Sequence, residues 1–264
     1  MMKKQLLSLL LCLMLHPVFA EAGTACTEKP QSAETVQKAF QLAIKTREAL
    51  DASGAEVALV GRVGQDLSKY NLHYSHMAFV WRDHPQGRWL AVHELNQCGT
   101  ANSALFNEGL ANFFFDDMFA WDALIVTPSP NMQAKIVALL KNTAYLKHVH
   151  EPHYNMVAHP FSTKYQNSNQ WVLEILSSAM SEELFTSRSA TQTWLKQANF
   201  KPSVLRISTL KRLGGRMFQA NVAFDDHPNA DRFAGNIAVV TVESVKEFVK
   251  QQDSAVQELT VSLQ

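Results

Sequence analysis

Ser75-His76-Met77-Ala78-Phe79-Val80-Trp81, then Asp83-His84-Pro85-Gln86-Gly87, then Arg88-Trp89-Leu90-Ala91-Val92-His93-Glu94-Leu95, is the stretch that decides the fold. The first run alternates, with His76, Ala78 and Val80 on one side and Met77, Phe79 and Trp81 on the other. That is the two-residue period of a strand. The middle run is turn chemistry and the third is apolar again, so the whole predicts an antiparallel hairpin. Two pairings of its strands are open. Trp81 opposite Arg88 sets His76 against His93, and Arg82 opposite Arg88 sets it against Glu94. A slip of one residue decides between them.

Outward from the hairpin, helical and extended patterns alternate. Val36, Phe40, Ala43, Ile44 and Leu50 recur at near-helical spacing over residues 33–50, stopping before Ser53-Gly54. Residues 57–60 read as a short buried strand. Residues 105–119 are rich in aromatics and read as helical in part, followed by a candidate strand at 123–126. Pro128 and Pro130 punctuate the chain before a helical stretch at 132–140. The segment 148–160 reads as irregular, because Pro152 and Pro160 forbid a long element. Residues 168–180 make the best helix, with Trp171, Val172, Ile175, Leu176 and Ala179 as its apolar stripe and Glu174 and Ser178 facing away. Further short elements follow, ending with a strand at 237–242 and a helix around 245–249. The mixture predicts an α+β fold, an antiparallel sheet packed with helices.

The N-terminus reads as an export signal. Lys3 and Lys4 precede an apolar run over residues 6–15, and Val18-Phe19-Ala20 closes it with a small-residue cleavage pattern. The run falls short of the roughly 20 residues that span a bilayer. Residues 1–20 are therefore expected to be a signal peptide and 21–264 a single α+β domain, periplasmic or secreted, with no stable membrane anchor. Without Lys3 and Lys4, the 24 basic side chains fall two short of the 24 acidic ones. Such a balance leaves no electrostatic footprint for nucleic acid or an anionic membrane. The remaining cysteines, Cys26 and Cys98, predict a disulfide in an oxidising compartment. Closing so long a loop stabilises by about 4 kcal/mol in the chain-entropy view.

The candidate chemistry lies in two polar islands, Arg62-Val63-Gly64-Gln65-Asp66-Leu67-Ser68 before Tyr74-Ser75-His76, and Tyr165-Gln166-Asn167-Ser168-Asn169-Gln170-Trp171. Ser168 opens a helix, where the positive helix end and free backbone N–H groups favour a nucleophile and its oxyanion. His76, at the start of a strand, is positioned as its base, and His93 or Glu94 on the next strand as the orienting group. Ordinary explanations stand beside these: Ser at a helix start is commonly a cap, and a strand His is commonly structural.

Together with Leu95-Asn96-Gln97-Cys98, the two islands resemble an exported bacterial family known only as domain of unknown function 2145, over most of residues 24–250. The hairpin also resembles, more distantly, the circularly permuted papain-like hydrolases of the NlpC type. That resemblance implies His76 as base, Glu94 or His93 as orienting residue, and Asn167-Ser168-Asn169-Gln170-Trp171-Val172 as the start of the nucleophile helix. The departure is Ser168, which stands where those enzymes carry Cys. A thiol ionises near pH 8.5 before tuning, whereas a serine must lose its proton during attack to a well-oriented His.

Three functions remain open. One is a serine-dependent amidase or esterase acting on an amide-bearing cell-envelope ligand. The second is an inactive papain-like module that binds a cell-wall peptide or similar ligand through the neutral amides of Gln65, Asn167, Asn169 and Gln170. The third is weak metal binding by His148, His150, His153 and His159, whose spacing matches no strong zinc signature. Neither a resident metal nor a cofactor is implied.

Overall fold

A computed structural model describes residues 30–115, 118–181 and 183–263. The expected signal peptide lies outside them, as does Cys26 and with it the expected Cys26–Cys98 bridge. The chain runs α1 (Ala33–Ser53), β1 (Val57–Val63), β2 (His76–His84), β3 (Gly87–Asn96), β4 (Ser103–Gly109), α2 (Leu110–Phe113), β5 (Ala120–Thr127), α3 (Pro130–Lys141), α4 (Thr143–Val149) and α5 (Ser168–Met180). It continues through α6 (Arg188–Gln197), β6 (Ser203–Arg206), α7 (Thr209–Phe218), α8 (Asn229–Ala234), β7 (Asn236–Val239), α9 (Val242–Gln252) and β8 (Gln257–Ser262). The expected α+β class is the observed one. Six antiparallel strands form the main sheet in the order β4-β3-β2-β1-β5-β8, and β6 pairs with β7 separately.

Strand alternation divides the core into two layers. Val57, Leu59, Met77, Phe79, Trp81 and Val92 face a layer built around α3, α5 and α9. The alternate residues Ala58, Val60, Ala78, Val80 and Ala91 face α1 and α2, where Phe113 and Phe114 are fully buried. A sheet covered on both faces places its central hairpin deep inside, and β2 has neighbours on either side. Local chemistry sets the boundaries. Ser32 caps α1 by accepting from the Thr35 N–H at 3.0 Å, and Gly54 closes it at φ 69°. Ser129 caps α3, with Pro130 in its first turn.

Two expectations are refined here. The stretch after residue 102 opens as strand β4 and turns helical only over Leu110–Phe113, because β3 offers a free edge that residues 103–109 complete. Glu174 and Ser178 lie off the apolar stripe yet are buried, Glu174 against Arg188 and Gln192 of α6 and Ser178 against Tyr145 of α4. Arg188 of α6 makes this burial tolerable by donating to Glu174 from Nε at 2.8 Å and from Nη2 at 3.1 Å. A fully buried carboxylate is sustained only by such pairing.

Candidate functional site

The hairpin closes in a register that neither expected pairing describes. Asp83 lies opposite Arg88, Trp81 opposite Leu90 and Phe79 opposite Val92. The turn is only Pro85-Gln86, between His84 and Gly87, and this tight connection sets the register. Side-chain parity follows from it: His76 and His93 project to the same face as diagonal neighbours, and Glu94 projects to the other. The two candidates for the orienting role are therefore on opposite sides of the sheet.

On the α2 face, His76 Nε2 and His93 Nδ1 share a hydrogen bond of 2.8 Å. Glu108 Oε2 lies 3.6 Å from His93 Nε2. Arg62, opposite His76 on β1, donates from Nη1 to the Phe113 carbonyl and stacks over the Phe113 ring. Both imidazoles also contact that ring. Burial holds the His76 pKa well below the ordinary value, and the charge of Arg62 and the neighbouring His93 push it further down. His76 is thus a neutral imidazole in a closed compartment.

Ser168 belongs to the other layer. Asn167 caps α5 by accepting from the Gln170 N–H at 2.9 Å, which places Ser168 in the first turn. Its hydroxyl donates to Tyr154 Oη at 3.5 Å. Burial pushes the Tyr154 phenol up to about 12, with the Ser168 hydrogen bond opposing the shift. Glu94 shares this layer. Burial raises its carboxyl to about 8, the Ser103 hydroxyl and Arg188 act to lower it, and Glu174 and Glu151 reinforce the rise. No hydrogen bond joins Ser168 to His76 among the described residues.

The amides expected to meet a ligand are largely engaged inside the protein. Asn169 accepts from the Met77 N–H at 3.0 Å and donates to the Ser75 carbonyl at 3.3 Å, clamping the start of β2 to the start of α5. Gln170 donates to the Pro160 carbonyl and to Glu174. Gln65 alone of the four is exposed, in the loop after β1. The four histidines of the irregular segment disperse: His148 bonds the Thr186 carbonyl, His150 bonds Ser103, His153 bonds Glu151, and His159 packs against His227. Among the described residues no three metal-ligating side chains converge.

Sequence reasoning passed over two groups. Gln166 ties the second island together, donating to Glu174 at 2.7 Å and accepting from the Glu151 N–H at 2.7 Å. Ser103 makes a serine–imidazole contact, with its Oγ 2.9 Å from His150 Nε2. Glu94 lies 3.9 Å from the same nitrogen, not beyond the ring, so these groups converge on one atom and do not form a relay. Neither partner pair could be found from spacing, because each joins segments that only the folded sheet brings together. The Gln166 position was at least marked by the density of amides around it.

A family model described as an uncharacterised protein conserved in bacteria, domain of unknown function 2145, matches residues 49–249. No curated protein and no solved structure matches the chain.

Proposed function

The chain belongs to this family, and from that premise we propose that it recognises an amide-bearing ligand of the cell envelope without hydrolysing it. In this reading the protein is exported, is braced by a Cys26–Cys98 disulfide, and uses a scaffold of the papain-like kind whose nucleophile position has lost its chemistry. The observation that carries the reading is the partner of Ser168. Its hydroxyl meets a phenol pushed up to about 12, which at neutral pH is uncharged and cannot take a proton. A serine nucleophile needs a base within hydrogen-bond reach. The neutral His76 instead spends its Nε2 on His93.

Recognition falls to the loop between β1 and β2, where exposed Gln65 offers both a donor and an acceptor. The loop is held at its base, since Ser75 Oγ accepts from the Gly64 N–H at 2.8 Å. Fixed ends lower the entropic cost of presenting a side chain to a ligand. Cell-wall stem peptides are the ligand class that matches the compartment and the neutral amide chemistry.

The test has two arms. A fluorophosphonate probe is applied to wild type, Ser168→Ala and Ser103→Ala, with folding checked by circular dichroism. No labelling of any sample is expected; labelling of wild type that either substitution removes would establish an activated serine and overturn the reading. In the second arm, calorimetric titration with a soluble peptidoglycan stem peptide should show binding that Gln65→Ala weakens by about tenfold, the loss of roughly one hydrogen-bonded contact. N-terminal sequencing of the exported protein should begin at Glu21, and an intact Met1 would remove the export premise.

A further inference from the structure

The helix α7 is turned inside out. A surface helix ordinarily buries its leucines and exposes its charges. In α7, Leu210 is 80 % exposed and Leu213 is 56 % exposed, whereas Arg212 between them is buried. The arginine is held inward by hydrogen bonds, from Nη1 to the Ile207 carbonyl and from Nη2 to Thr209 Oγ1. On a helical wheel Leu210, Leu213 and Gly214 form one stripe, and Arg212 and Gly215 lie opposite it. Gly215 faces inward, where Val222 leaves little room for a side chain. The inversion is thus built into the packing of the helix.

Charge accompanies the exposed stripe. Between Glu183 and Asp225 the chain carries no acidic residue, while Lys201, Arg206, Lys211 and Arg216 in that interval are all exposed. Lys211 and Arg216 flank the leucine stripe on its two sides. One more exposed apolar side chain lies on the segment bonded to Ile207, just before α7. Ile207, which receives the Arg212 bond, also donates its N–H to the Gly235 carbonyl, and Phe233 two residues earlier is 71 % exposed. Asp231 on the same short helix α8 is offset by the adjoining Arg232. The near-zero charge of the whole chain conceals this segregation.

We propose that α7 lies on an anionic phospholipid surface, with Leu210 and Leu213 inserted at the headgroup boundary and Lys211 and Arg216 meeting lipid phosphates. Apolar residues rimmed by cations, on a helix too short to span a bilayer, are the composition of an interfacial helix. Lipid is favoured over a second copy of the chain because a self-complementary contact would bring the same cations together across its axis. Binding of this kind is peripheral and reversible, and it would hold the Gln65 loop within reach of the envelope.

Vesicles of phosphatidylglycerol and of phosphatidylcholine test the proposal with the full chain. Hydrogen–deuterium exchange of the 209–218 amides reads this helix separately from the apolar N-terminal segment. Exchange there should slow on adding phosphatidylglycerol vesicles and stay unchanged with phosphatidylcholine. In flotation assays Lys211→Glu/Arg216→Glu should weaken binding about tenfold or more, each basic residue contributing of the order expected near an anionic surface. Leu210→Ser/Leu213→Ser should abolish the slowed exchange in α7. Unchanged exchange with both lipids would overturn the proposal. So would protection that grows with protein concentration in the absence of lipid, which would assign the face to a second copy.

Discussion

Glu174 and Glu94 are both fully buried carboxylates in the same layer, yet the fold treats them in opposite ways. Glu174 is met by Arg188 and by the amides of Gln166, Gln170 and Gln192, at 2.7 to 3.3 Å. Among the described residues no Lys or Arg pairs with Glu94; His150 Nε2 lies 3.9 Å from it, and burial lifts its pKa to about 8. A buried carboxylate must be matched by donors or keep its proton. One acid here is matched and the other keeps its proton. Protein interiors accept either solution.

The largest way to break that comparison is to unmatch Glu174. Arg188→Leu leaves a buried carboxylate surrounded by neutral amides, and removing one partner of a buried pair costs about 3 to 5 kcal/mol. The urea midpoint should fall accordingly. A Glu174→Leu/Arg188→Leu double substitution should recover much of the loss, since the unpaired charge is then gone. If the single substitution costs under about 1 kcal/mol, Glu174 does not depend on its cation and the distinction between the two acids collapses.

Glu94 sharpens the comparison through pH. Its folded pKa lies above that of an ordinary carboxyl, so the folded state binds the proton more tightly than the unfolded chain. The resulting stability is fully present below the ordinary carboxyl range and is lost as pH rises toward about 8. His76 acts in the opposite sense. Its folded pKa is depressed, so its contribution is present above the ordinary imidazole value and is lost as pH falls below it. Urea denaturation across pH should therefore show a maximum between the two limbs. Glu94→Gln should flatten the alkaline limb and raise stability at pH 8 by on the order of 1 to 3 kcal/mol. An alkaline limb unchanged in that variant would mean that Glu94 titrates normally.

What the sequence made legible follows the range of the forces involved. The hairpin, the 168–180 helix and the α+β class rest on patterns within one or two dozen residues, and all three are present. The register was not legible, because it depends on whether the turn takes two residues or more. That choice then sent His93 to the His76 side and Glu94 to the other. The burial of Glu174 was not legible, because its partner Arg188 lies on another helix, 14 residues away. The strand expected at 237–242 is present as β7, whereas its partner β6 offers too few residues for a period to emerge. Polar residues at helix-forming positions look alike whether a second helix covers them or water does.

An effect smaller than that of Arg188→Leu is expected at Asn169, the clamp between β2 and α5. Asn169→Ala removes a buried acceptor from the Met77 N–H and should cost about 1 to 3 kcal/mol, the penalty of an unsatisfied buried donor. Faster hydrogen exchange at the Met77 amide would localise the loss. Exchange unchanged at Met77 would mean that the β2 start is held without the clamp.

Smallest of all should be Ser168→Ala. The hydroxyl's bond to Tyr154 is long, at 3.5 Å, and the cap of α5 is made by Asn167 instead, so under about 1 kcal/mol is at stake. A double-mutant cycle with Tyr154→Phe should give a coupling near zero, which separates a bystander serine from one in a working network. The sign matters more than the size. Residues kept for chemistry are often held at some expense to stability, and replacing them commonly raises it. A Ser168→Ala variant more stable than wild type by about 1 kcal/mol or more would mark the hydroxyl as a functional group retained against packing. The recognition-only reading would then give way to one in which Tyr154 or His76 moves to activate it.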